Sequence, residues 1–148
     1  MNALNLPDAT IGFDDGVGGK YIVITTGSDT DRLIFWAQNQ TLGFHKDVVT
    51  ELEHKIPEFC VIGGGSVWID RKMRQITIWD WSSDYGGDDK VSTAELLERA
   101  FSGFTVYIGS DRKVRVEEPL PLSVYRTYKH QYLEQKRRID ELLASRES

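Results

Sequence analysis

Cysteine occurs once in the 148-residue chain, as Cys60, so no internal disulfide can form and no cysteine-based zinc site is available. The apolar run Phe59-Cys60-Val61-Ile62 around it predicts a strand with the thiol buried, and a reducing compartment. Long hydrophobic runs are also missing: no segment is apolar for long enough to span a bilayer. The first eight residues lack the basic start and apolar stretch of a signal peptide. A cytoplasmic protein with no membrane association is therefore expected. Positive charge is in deficit, with 18 Lys and Arg against 23 Asp and Glu, which disfavours binding a nucleic-acid backbone. The deficit is uneven. Beyond Pro119 there are six basic residues against four acidic, so the tail carries +2 and the remainder -7 of the net -5. The chain also has no G-x-x-x-x-G-K-[ST] loop, no G-x-S-x-G elbow, no H-E-x-x-H and no Cys-x5-Arg loop, which removes the classical nucleotide-binding, serine, zinc and cysteine-phosphatase classes.

What is present is a run of alternating short elements. Tyr21-Ile22-Val23-Ile24-Thr25-Thr26 is β-branched and aromatic, as a strand requires. A turn over Thr26–Asp31 leads to a second strand, Leu33-Ile34-Phe35-Trp36, and a polar loop through Gln40. Phe44, Val48, Val49, Leu52 and Ile56 recur at helical spacing, and Pro57 closes that helix. Phe59–Ile62, Gly63-Gly64-Gly65 and Ser66–Ile69 read as strand, tight backbone feature and strand. The charged segment Asp70–Arg74 makes a hairpin connection to Gln75–Trp81, whose alternation sets Ile76, Ile78 and Asp80 against Thr77, Trp79 and Trp81. A loop, Ser82 to Lys90, precedes Ser92-Thr93-Ala94-Glu95, which has capping-box spacing and predicts a helix to about Phe101, closed by Gly103. Phe104–Ile108 and Lys113–Val116 form a predicted last hairpin. From Leu122 onward, Tyr125, Tyr128, Tyr132, Gln135, Ile139 and Leu142 recur at steps of three and four, a final helix. The pattern predicts an α+β fold: one domain with a mixed, mostly antiparallel sheet and two core helices over 1–118, plus a helical extension over 119–148. No βαβ rhythm is expected.

Three histidines, the glycine triplet and the loop after the aromatic strand carry whatever chemistry there is. His45 stands at the start of the first helix, where free backbone N–H groups disfavour an imidazolium and hold the ring neutral. His54, nine residues on, lies half a turn around the helix axis, and His130 sits beside Lys129 in the tail. Each histidine also has an ordinary reading as surface or core packing. Gly63-Gly64-Gly65 serves either a bulge or close approach to a ligand. Ser82-Ser83-Asp84-Tyr85-Gly86-Gly87 is either a plain turn or a cradle of hydroxyl and main-chain N–H groups for phosphate. Lys20 is either a solvated lysine or a point charge for that phosphate.

Together these segments resemble the janus/ocnus family, through Lys20-Tyr21-Ile22-Val23-Ile24, Phe44-His45-Lys46-Asp47-Val48, Gly63-Gly64-Gly65, and Trp81-Ser82-Ser83-Asp84-Tyr85-Gly86 followed by Val91-Ser92-Thr93. The resemblance spans roughly residues 12 to 111. It implies a metal-independent and cofactor-free phosphatase acting on a phosphohistidine-containing protein or a small phosphoramidate. In that reading His45 is the catalytic residue, and Lys20, Gly65, Ser82, Ser83 and Asp84 bind the phosphoryl group. The family often has arginine directly after the triplet, where this chain has Ser66, and a small apolar residue where it has Asp84. A non-catalytic phosphate- or peptide-binding module on the same fold is the alternative. Residues 120–148 are the candidate surface for self-association or partner contact.

Overall fold

The computed structural model describes residues 17–25, 32–38, 45–54, 56 and 58–147. The expected turn at 26–31, Gln40, Phe44 and Pro57 lie outside them, while Ala37 and Gln38, expected in the loop, are strand. Six strands form one sheet: β1 (Val17–Thr25), β2 (Arg32–Gln38), β3 (Cys60–Asp70), β4 (Gln75–Trp79), β5 (Thr105–Ile108) and β6 (Leu120–Pro121). Their spatial order is β2-β1-β3-β4-β5-β6. All neighbours are antiparallel except β4 and β5. The helices are α1 (His45–Glu53), α2 (Lys90–Ala100) and α3 (Leu122–Glu147). This is the expected α+β architecture with a mixed, mostly antiparallel sheet.

Three local expectations are corrected. β4 and β5 run parallel with α2 between them, so the fold does contain one βαβ unit, as a parallel pair requires a crossover. Lys113–Val116 is not a strand. Asp111 Oδ1 accepts the N–H groups of Lys113 and Val114 and folds the segment into a turn, so β5 pairs with β6 instead. Finally, α2 starts at Lys90, with Asp89 as its N-cap accepting from Val91 N. The Ser92 hydroxyl donates to Asp89 Oδ2; the serine is an in-helix partner of the cap. The ionisable carboxylate is the stronger acceptor for free N–H groups.

β3 is one continuous strand through the glycine triplet, with a bulge. Val23 pairs with Gly63 but Ile24 pairs with Val61, leaving Ile62 as the extra residue. Cys60, at the start of β3, is exposed and not buried as expected. The strand begins there at the sheet's end, before the covered part of the layer.

Adjacent strand residues point to opposite faces, and the triplet shows what lies on each. A Cβ on Gly64 would sit 3.0 Å from the His45 ring, whereas one on Gly65 would sit 2.7 Å from Lys90 Nζ. The N-termini of α1 and α2 therefore lie on opposite faces. Ile22 and Ile24 are buried on the α1 side with Val48, Val49 and Leu52. Tyr21, Val23, Val67, Ile69, Ile76, Ile78, Val106 and Ile108 form the other layer with Ala94 and Leu97 of α2. The first turns of α3 join this second layer through Leu122 and Tyr125, with Tyr128 and Tyr132 packed against it. Farther along, Ile139, Leu142 and Leu143 are exposed.

Candidate functional site

His45 is the first residue of α1 and is only 7% exposed. Its Nε2 lies 2.7 Å from the carbonyl oxygen of Gly65. A carbonyl can only accept, so Nε2 bears the hydrogen, and in the neutral ring Nδ1 carries the lone pair. Burial lowers the imidazole's pKa below its ordinary value of 6.5. The hydrogen bond to Gly65 opposes that shift, the cations Lys20 and Lys90 reinforce it, and Asp84 opposes it. The net direction keeps the ring neutral near pH 7.

Lys20 pairs in register with Ser66 on β3, and Ser66 alternates with Gly64 on the face that meets His45. Lys20 and His45 thus share one side of the sheet. Across the same row Ser66 pairs with Trp79 of β4.

The Ser82 loop docks edge-on to the triplet. Gly64 N donates to Gly86 O at 3.1 Å. A Cβ on Gly63, whose φ is +154°, would come within 2.6 Å of Asp88 N and Gly87 C. Within the loop, Ser82 Oγ is buried and accepts from Asp84 N at 3.3 Å and Tyr85 N at 3.1 Å. Ser82 N donates to Gly86 O and Gly86 N to Ser82 O. These four N–H groups, of Ser82, Asp84, Tyr85 and Gly86, close the turn on itself, so that part of the expected cradle is engaged within the loop. Ser83 and Asp84 are exposed at its tip. Gly65 enters through its carbonyl, which orients the histidine. His54 is exposed at the far end of α1 and His130 is exposed on α3, so neither joins His45.

Sequence reasoning missed a buried polar cluster directly behind the site. Lys90 Nζ donates to Asp88 Oδ1 at 2.5 Å and to Tyr21 OH at 2.7 Å. Tyr21 OH and Thr93 Oγ1 also donate to Asp88. Lys90, Tyr21 and Thr93 are essentially inaccessible, as is the Asp88 side chain. The signal was the spacing of Lys90, Ala94 and Leu97, which puts the lysine on the buried stripe of α2. Burial, with Asp88 beside it, raises the Tyr21 pKa far above its usual value and keeps the hydroxyl protonated.

Among the described residues no three His, Cys, Asp or Glu are grouped as metal ligands. Nor is any helix among the described residues long and apolar enough to cross a membrane. Fold and site together define an α+β domain with one buried, carbonyl-tethered histidine at a helix start. The chain belongs to the Janus/Ocnus family, whose model matches residues 4–105. That span contains His45, the triplet and the Ser82 loop, while β6 and α3 lie beyond it. No curated protein matches the chain.

Proposed function

We propose that the protein is a metal-independent phosphohistidine phosphatase, a cytoplasmic hydrolase acting on a phosphohistidine-containing protein or a small phosphoramidate. The observation that carries this reading is His45: neutral by burial, held by its Nε2–H on Gly65 O, and left with an Nδ1 lone pair. Lys20 stands on the same sheet face as the point charge for the phosphoryl oxygens. Water supplies the nucleophile. Its oxygen forms the new bond to phosphorus while Nδ1 accepts its proton, and the P–N bond breaks. The departing nitrogen then takes the proton from His45, leaving inorganic phosphate and a neutral amine or imidazole. The exposed lone thiol Cys60 suits a reducing compartment.

The test is hydrolysis of phosphohistidine and phosphoramidate by wild type and His45→Ala in the presence of chelator. Loss of the base is expected to lower the rate by roughly 10²–10⁴. Absence of turnover by wild type, or full activity of the variant, refutes the reading. The internally satisfied Ser82 loop and the exposed carboxylate of Asp84 favour the second reading, a phosphate- or peptide-binding module. Saturable binding of a phosphate analogue without turnover would establish that alternative.

A further inference from the structure

α1 covers β1 and β2 on the His45 face, but beyond them that face carries an open groove of about 520 Å³ over β3, β4 and the segment after β5. It is lined by Trp68, Trp79 and Trp81 together with the acidic residues Asp80 and Glu117 and the basic residue Arg115. Three tryptophans on one partly exposed surface are not explained by the core, which lies on the other side of β3 and β4 at Val67, Ile69, Ile76 and Ile78.

The groove is built in two respects. A Cβ at Gly109 would fall 2.8 Å from Trp79 Cβ, so glycine lets the indole seat against the strand end. Asp80 holds a left-handed backbone, φ 61°, a conformation that ends the regular strand alternation after Trp79 and that aspartate adopts more readily than most side chains. Asp80 and Glu117 make no ion pair among the described residues, and Arg115 is the one cation among the described lining residues. The net charge of these lining residues is therefore negative, set among aromatic rings whose quadrupole attracts cations.

We propose that this groove is a subsite for a cationic side chain, guanidinium or ammonium, of a polypeptide bound along the His45 face. Indole faces take the flat or methylene part of the side chain, and Asp80 and Glu117 take its charge. Resting on the phosphatase reading, the groove also sets substrate register. The row Lys20–Ser66–Trp79 spans two strand spacings, about 10 Å, which an extended peptide covers in roughly three residues. The basic residue then lies about three positions from the phosphorylated one.

The experiment follows the tryptophan indole N–H resonances of the full chain, assigned by single Trp→Phe variants, during titration with an unphosphorylated tri-arginine peptide and a tri-serine control. Saturable movement of the Trp68, Trp79 and Trp81 signals by tri-arginine alone is expected. It should weaken about fivefold or more in Asp80→Asn/Glu117→Gln, and further with salt. Both substitutions are at exposed positions, and asparagine tolerates the left-handed backbone, so the variant keeps its fold. Unmoved indoles, equal movement by tri-serine, or undiminished affinity in the double variant overturns the proposal. Because the probe has no phosphoryl group, groove binding without turnover sinks only the phosphatase reading. Turnover without groove binding sinks only the subsite.

Discussion

Replacing Lys90 with methionine tests whether the buried cluster behind the site holds the fold together. The ammonium donates to Asp88 and Tyr21 in a pocket with no solvent access. Lys90→Met leaves the buried Asp88 carboxylate without its ammonium partner, while the Tyr21 and Thr93 hydroxyls still donate to it. Removing one partner of such a pair costs about 3–5 kcal/mol, a large share of the roughly 5–15 kcal/mol that holds an ordinary domain folded. For a chain of this size the melting temperature should fall on the order of 10 °C, and the urea midpoint by roughly 2 M if m is near 2 kcal/mol/M. Lys90→Met/Asp88→Asn removes both charges yet preserves the amide oxygen as acceptor for Tyr21 and Thr93. At least half of the loss should return. Equilibrium urea unfolding of wild type, single and double variants measures both quantities. A single-variant cost under about 1 kcal/mol, or a double variant no more stable than the single, would refute the reasoning.

Gly64→Ala places a Cβ 2.5 Å from Tyr21 O and 3.0 Å from the His45 ring, so a loss of about 1–3 kcal/mol is expected by thermal unfolding, together with a displaced His45 ring signal in NMR. Tyr125→Phe removes the hydroxyl that donates to buried Asp111 Oδ2 and should cost about 1–3 kcal/mol in the same assay; an unchanged melting temperature would mean that α3 is not anchored there. Native protein should react with one equivalent of a thiol reagent at Cys60, and reaction only after unfolding would contradict its exposure. Because the folded pKa of His45 lies below its ordinary 6.5, the unfolded chain binds more protons just under pH 6.5. Its contribution to stability is complete above that pH and shrinks as pH falls toward the folded value. His45→Gln should lack this component in melting temperatures measured from pH 5 to 8. The hydrolytic rate should likewise rise through an inflection below 6.5 and stay level above it.

Much of the scaffold was legible because it rests on local periodicity. Ile76 and Ile78 alternate with Thr77 and Trp79 as written, and Val48, Val49 and Leu52 mark the buried side of α1. His45 at a helix start was likewise a reading of neighbours in sequence. The errors fall where a nearby side chain competes for backbone N–H groups. The spacing Ser92-to-Glu95 satisfies a capping pattern, yet Asp89 outbids it for the free N–H of Val91. Val114 and Val116 have strand propensity, but Asp111 and Ser110 capture their backbone N–H groups.

The sequence by itself determined an α+β chain with alternating strands, an amphipathic first helix, a negative body with a positive tail, and a histidine placed where a helix begins. Only the tertiary structure decided which atom of that histidine is tethered, since the Gly65 carbonyl is twenty residues away. It also put Lys90 and His45 on opposite faces of one glycine-bearing strand and left Cys60 in solvent. Propensity and periodicity act over a few residues. Pairing register, ring orientation and burial of a charge are set by groups that meet only when the sheet closes.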